Sequence, residues 1–176
     1  MAGHNKYSKI KHKKALTDAK KSKIFSKYSR LITMESQKSG GNTSSPNLEN
    51  VIRKARESNM PNDSIERAVK KGLSNDVESL ESITYEGYGY GGCALIIETL
   101  SSNRNKTAQE IRHIFSKNGF VVANPGSALW AFNKTEDGFT PNTTIPLEEA
   151  DVEKLDLLVE EFEENDDVQH VYTNAE

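Results

Sequence analysis

The spacing of apolar residues changes once along the chain. In the first part it is helical. Ile24, Phe25, Tyr28, Leu31 and Ile32 fall on one face at roughly 100° per residue, which predicts an amphipathic helix from about Ser22. Lys20, Lys23, Lys27 and Arg30 fall on the opposite face, so the helix buries one side and offers cations on the other. Ser39-Gly40-Gly41 should stop it. Ser45-Pro46 reads as a second start, serine as cap and proline in the first turn, with Leu48, Val51, Ile52 and Ala55 facing inward as far as Asn59-Met60. Pro61 breaks that helix and opens a third, in which Asp63 and Glu66 are spaced as a capping box. Ile65, Ala68 and Val69 face inward there, and Gly72 closes the helix. These three helices predict a small bundle whose exposed side carries Arg53, Lys54, Arg56, Arg67, Lys70 and Lys71.

Beyond an acidic stretch between Leu73 and Ser82 the period shortens. Ile83–Glu86 and Cys93–Leu100 read as strands joined across the glycine-rich 87–92 segment. Ala108, Ile111, Ile114 and Phe115 mark a helix ending at Asn118-Gly119. Phe120–Val122 and Ala128–Phe132 read as strands around the Pro125-Gly126 turn, followed by a loop holding Gly138 and Pro141. Thr143–Pro146 is a candidate short edge strand. Val152, Leu155, Val159 and Phe162 define another helix, and Val168–Tyr172 a last strand. The predicted fold class is α+β: an N-terminal three-helix domain, then an α/β sandwich with an antiparallel or mixed sheet and two helices on one face. The domain expectation is a basic arm at 1–20, a helical bundle at 21–75 and an acidic α+β domain at 80–176.

Charge sharpens this picture. The net charge of -3 conceals 17 Lys+Arg against 6 Asp+Glu in residues 1–73, leaving 6 against 20 in residues 74–176. A basic half of this kind expects a polyanion, because neutralised phosphates release counterions, while the acidic half would repel the same partner. The plainer alternative is two solvated surfaces of opposite sign that dock on each other. A mean hydropathy of -0.70 over 176 residues suits two modest, well-solvated domains. No apolar run approaches the ~20 residues that cross a bilayer, and the N-terminus lacks the hydrophobic stretch of a secretory signal. The single Cys93 excludes an internal disulfide and suits a reducing compartment, so a cytoplasmic location is expected.

The candidate chemistry is thin except in the arm. The glycines at 87–92 run straight into Cys93-Ala-Leu instead of a Lys-Ser/Thr and a helix, so a hairpin fits better than a phosphate loop. Tyr85, Tyr88 and Tyr90 have the spacing of a base-stacking sheet, but Glu81, Glu86 and Glu98 surround them, and packing under the hairpin is the better reading. His4, His12, His113 and His170 are too scattered for a metal site, and His113 is expected at the surface. The acidic run from Glu148 to Glu164 reads as a solvated helix face, and Cys93 as a small core hydrophobe. No catalytic constellation, cofactor or small-molecule substrate is indicated, and the oligomeric state leaves no mark. The arm is different in kind. Lys6, Lys9, Lys11, Lys13, Lys14, Lys20, Lys21, Lys23, Lys27 and Arg30 face only Asp18, and His4, Tyr7 and His12 interleave as candidates for stacking. These thirteen residues form the candidate nucleic-acid contact.

The residues then point to a family. Met1–Tyr7, Ile10–Ala15, Asp18–Lys20 and Lys23–Lys27 resemble the opening of the YebC/PmpR family. Asn59–Pro61, Ile65–Ala68, Tyr85–Gly89, Asn103–Thr107, Ser116–Gly119 and Val168–Asn174 follow in the same order. The resemblance implies a probable transcriptional regulator that binds DNA, with organellar relatives that activate translation and bacterial ones linked to relief of stalled ribosomes. It implies a contacting arm of His4, Lys6, Lys9, Lys11, His12, Lys13 and Lys14. Two departures are visible: Tyr7 and Tyr90 stand where the family has Trp and Pro. The chain is also shorter, with Asn133–Pro146 bridging a position where relatives carry a further α/β domain. Duplex DNA and ribosomal RNA both remain open as partners. Base-reading Asn and Gln are sparse on the basic stripe, and no helix-turn-helix pattern is present.

Overall fold

The computed structural model describes residues 18–176, which divide into two compact units at 18–81 and 82–176.

The first unit is the predicted helical bundle: α1 Asp18–Ser39, α2 Pro46–Glu57 and α3 Asn62–Gly72. Its core gathers Ile32, Leu48, Ile52, Ala55, Met60, Ile65 and Ala68, with Phe25, Tyr28, Val51 and Val69 packed against it. Ile24 and Leu31, expected on the buried face of α1, lie half-buried outside this cluster, and Thr33 and Ser36 are buried instead. The reason is a close crossing of α1 on α3 that only small side chains permit. Thr33 Oγ1 lies 3.2 Å from the Ala68 carbonyl, and Ser36 Oγ donates to the Val69 carbonyl at 2.7 Å.

The helix ends explain themselves locally. Gly40 at φ 60° and Gly41 at φ 78° turn the chain out of α1, and the Gly41 N–H bonds the Ser36 carbonyl at 2.9 Å. Asn59 at φ 64° ends α2, a backbone conformation this residue tolerates better than most. Ser45 occupies the cap position of α2 with Pro46 behind it, although its hydroxyl makes no capping bond. Two expectations for α3 are corrected. Pro61 takes the cap position, so Asp63 and Glu66 fall inside the helix and form no capping box. Gly72 is the last helical residue, not a left-handed terminator, and it is glycine because α1 presses on it.

The second unit carries a four-stranded sheet in the order β3-β1-β2-β6, built from β1 Glu81–Tyr88, β2 Ala94–Ser101, β3 Val122–Ala123 and β6 Val168–Thr173. The β1–β3 and β2–β6 pairs are antiparallel. Helices α4 Arg104–Lys117 and α5 Glu149–Glu164 cover one face, as predicted. Leu95 and Ile97 of β2 meet Ile111, Phe115, Leu155, Leu158 and Phe162 there, and the Phe115 and Phe162 rings meet edge-on at 4.9 Å. Ala94 and Ile96 point to the other face, where Ala128, Ala131 and Phe132 bury them. This alternation along β2 is why the strand reads as one unbroken apolar run.

Four readings of this half are corrected. Strand structure at Phe120–Val122 shrinks to Val122–Ala123. Ala128–Phe132 is not a strand: Leu129–Ala131 is a 3₁₀ turn, and only Phe132 begins β4 (Phe132–Thr135). The loop holding Gly138 and Pro141 is β5 (Gly138–Pro141), paired antiparallel with β4. Thr143–Pro146 contributes one bridge, Ile145 to Ala175, in place of a strand.

Candidate nucleic-acid interface

Of the thirteen candidate residues, His4, Lys6, Tyr7, Lys9, Lys11, His12, Lys13 and Lys14 lie outside the described residues. The other five are on α1. Lys20 and Lys21 are exposed, whereas Lys23, Lys27 and Arg30 are half-buried, so the stripe is less open to solvent than the helical period suggests.

Around α1 at roughly 100° per residue, three strips run side by side. The apolar strip of Phe25, Tyr28 and Ile32 enters the core. The cationic strip of Lys23, Lys27 and Arg30 lies away from it. Between them run Ser22, Ser26 and Ser29, one helical turn apart. Facing these serines across a cleft of about 370 Å³ are Ser64, Arg67 and Lys71 of α3, with Phe25, Met60 and Ala68 in its lining. Arg67 is held along its own helix: Nε donates to the Asp63 carbonyl and Nη2 to Ser64 Oγ, both at 3.2 Å. The helical period puts Arg67 and Lys71 on the exposed side but does not bring the serines to them. The i, i+4, i+7 spacing of Ser22, Ser26 and Ser29 was the signal available.

On α2, Arg53 donates to Glu57 at 2.7 Å and to Asn50 at 2.7 Å. Arg56 reaches Asn62 at 3.4 Å, at the distant end of hydrogen bonding.

The glycine-rich segment of the second unit is the expected hairpin connection, with a 3₁₀ turn at Tyr90–Gly92 between β1 and β2. Its tyrosines are packing groups. Tyr85 and Tyr90 lie against the helix-side core, Tyr90 meets Phe120 edge-on at 4.9 Å, and Lys154 sits 5.7 Å over the Tyr90 ring. Tyr88 faces the other layer, where its hydroxyl donates to the Ser127 carbonyl and accepts from Trp130 Nε1 at 2.9 Å.

Glu86, one of the acids around these tyrosines, is buried, and its carboxylate accepts backbone N–H bonds from Gly126 (2.6 Å), Ala128 (2.8 Å) and Leu129 (3.0 Å). Cys93 is fully buried, and burial pushes its thiol up from the ordinary value. His113 is exposed. Glu161 accepts from Lys117 at 2.8 Å, which with Asn118 holds its carboxyl below the usual range. Among the described residues no group of three or more His, Cys, Asp or Glu is placed to hold a metal ion, and no helix is long and apolar enough to cross a membrane.

The motif Asn103–Thr107 opens α4. The Asn103 side chain caps the Lys106 N–H at 3.1 Å, and the buried Thr107 hydroxyl lies 2.5 Å from the Asp167 carboxylate and 2.6 Å from Ser101 Oγ. This motif therefore ties the start of α4 to the turn before β6, and its role is structural.

Comparison with known proteins places both units. Residues 5–75 match the model of the TACO1/YebC protein N-terminal domain, and residues 80–137 and 132–175 match the TACO1/YebC second and third domain. The two segments meet at 132–137, on β4 and the turn after it. The chain is 44% identical over 166 residues to a probable transcriptional regulatory protein of Halothermothrix orenii, covering 93% of this chain and 63% of the relative. It is 45% identical over 171 residues to a protein of the same description from Fervidobacterium nodosum, covering 96% and 68%. A third such protein, from Thermoanaerobacter pseudethanolicus, is 35% identical over 240 positions and is itself covered to 97%, so it carries residues with no counterpart here. Among solved structures, a conserved hypothetical protein of Aquifex aeolicus is similar at a TM-score of 0.80 and 29% identity, with 95% of each chain covered.

Proposed function

The chain belongs to the TACO1/YebC family, and from that premise we propose that it is a non-catalytic regulator of transcription that binds DNA through the phosphate backbone. The observation that carries this reading is the segregation of charge, 17 Lys+Arg against 6 Asp+Glu in the first 73 residues and 6 against 20 in the rest. His4, Lys6, Tyr7, Lys9, Lys11, His12, Lys13, Lys14, Lys20, Lys21, Lys23, Lys27 and Arg30 form the contact. Lysine recognises a phosphate as a point charge and reads little base sequence, so affinity here is set by charge and only weakly by sequence. The acidic remainder confines the polymer to the basic side by repulsion. Support comes also from the relatives, which are named probable transcriptional regulatory proteins.

The test is fluorescence anisotropy on a labelled DNA duplex, titrated with the full chain at several salt concentrations. If about six cations meet phosphates, log affinity falls against log salt with a slope of about -4 to -5. Absence of binding even at low salt would sink the reading. A preference for structured RNA of about tenfold over duplex, at equal salt, would move the protein from transcription to translation.

A further inference from the structure

We propose that the cleft between α1 and α3 is a second seat for the nucleic-acid backbone, holding consecutive phosphates of one strand between Arg67 and Lys71 on one wall and Ser22 and Ser26 on the other. The inference rests on the nucleic-acid reading above and extends it to residues outside the arm and the α1 stripe.

Four features of the cleft converge. Arg67 and Lys71 are exposed and four residues apart, so their attachment points are spaced by about 6 Å along the helix. That is comparable with the step between neighbouring phosphates of a strand. The facing wall presents exposed Ser22 and Ser26 with the same four-residue spacing, so both walls of the cleft carry donors. Phe25, Met60 and Ala68 complete the lining. Apolar walls of low polarisability focus the field of the two cations into the cleft instead of letting water disperse it. Finally, Arg67 is preorganised. Its bonds to the Asp63 carbonyl and Ser64 Oγ occupy two of its five donors and hold the guanidinium at the rim.

The alternative occupant of a cleft with cations on its rim is an acidic peptide segment. Charge alone fits both, but the placement favours a phosphate strand. The serine wall borders directly on the strip of Lys23, Lys27 and Arg30 around α1, so a strand leaving the cleft passes onto a surface already cationic. Carboxylates and phosphates both accept from hydroxyls, so the choice rests on this cationic continuation, which only a long polyanion leaving the cleft would use.

The test compares two double variants of the full chain. R67A/K71A removes the cations of the cleft. R53A/K70A removes the same charge from exposed positions outside it. With labelled duplex, R67A/K71A should bind about tenfold or more weakly, and its log–log salt slope should flatten by about two, one for each lost phosphate contact. R53A/K70A should change affinity by less and leave the slope nearly intact. S22A/S26A, which changes no charge, should weaken binding without altering the slope. Far-ultraviolet circular dichroism and a melting curve report whether each variant keeps its fold. If R67A/K71A and R53A/K70A behave alike while the parent binds, the cleft is not a seat and the broader reading stands. If the parent binds neither duplex nor structured RNA, the broader reading fails and takes the cleft with it. If an acidic peptide competes with duplex at the cleft as well as unlabelled duplex does, the phosphate assignment is overturned.

Discussion

Gly72 of α3 lies directly under Ser36 of α1, so close that a Cβ added to it would stand 2.7 Å from the Ser36 Cβ and 2.5 Å from the Thr33 carbonyl oxygen. A real Cβ does not tolerate a backbone oxygen at that distance, and the oxygen belongs to a helix that cannot shift alone. G72A should therefore destabilise the bundle, even though alanine favours helix over glycine by about 0.5–1 kcal/mol. Forced separation of α1 from α3 also strains the bonds from Ser36 to Val69 and from Thr33 to Ala68. The expected net loss is about 1–3 kcal/mol, read as a lowered denaturant midpoint. A G72A protein as stable as its parent would show that the crossing is slack.

Glu86 makes a comparable commitment in the second unit. Three backbone N–H groups of the 126–129 segment converge on its buried carboxylate. Glutamine at this position offers one acceptor oxygen, and its NH₂ would face a donor. E86Q is expected to cost about 2–4 kcal/mol, because charge-assisted bonds are lost and a buried donor is left unpaired. The local signature is faster hydrogen exchange at Gly126, Ala128 and Leu129 with little change in the bundle. Unchanged protection there would rule out the clamp.

These two residues mark where the sequence is legible and where it is not. Helices α1, α2, α4 and α5 and strands β1 and β6 announce themselves because each buries one face, and periodicity records a buried face; β2, buried on both faces, announces itself as an unbroken apolar run. Gly72 and Glu86 each answer to a distant segment, 33–36 and 126–129, and no local pattern contains that segment. Glu86 looks like one acid among Glu81 and Glu98 until the 126–129 segment folds over it. The 128–141 region misleads for a related reason. Leu129, Trp130 and Phe132 have strand composition, but Leu129–Ala131 coils into a 3₁₀ turn that drops Ala131 into the layer beneath β2, and the strand begins one residue later. In the candidate interface, the cationic strip of α1 was readable from its spacing. The cleft was not, because it needs Ser22 and Arg67 to be neighbours across two helices.

Tyr172 gives the second unit an alkaline limit. Its hydroxyl donates to Glu98 at 3.1 Å, and burial, then the Glu98 charge, push its ionisation well above the ordinary tyrosine range. The folded state thus holds a proton that the unfolded chain releases near pH 10. Stability from this group is complete below about pH 10 and declines as pH rises beyond it, since the unfolded state then binds fewer protons. Urea midpoints measured from pH 8 to 11 should fall more steeply for the parent than for Y172F, which has no proton to lose. At neutral pH Y172F should be the less stable of the two by about 1 kcal/mol, for the lost hydrogen bond. Parallel pH profiles would remove Tyr172 from the effect.

The arm supplies the most direct check on the nucleic-acid reading. Lys11, Lys13 and Lys14 stand among the densest positive charge in the chain, with no acid between Met1 and Thr17. Changing all three to alanine should flatten the salt slope by about two to three and weaken binding across unrelated duplex sequences alike, because phosphate contacts carry no sequence information. Among the described residues the bundle core is built from side chains between Phe25 and Val69, and the melting temperature should stay within error of the parent. A loss confined to one duplex sequence would mean that the arm reads bases and not backbone. An unchanged slope would mean that it makes no phosphate contact at all, and the cations of α1 and α3 would then have to account for all of the binding.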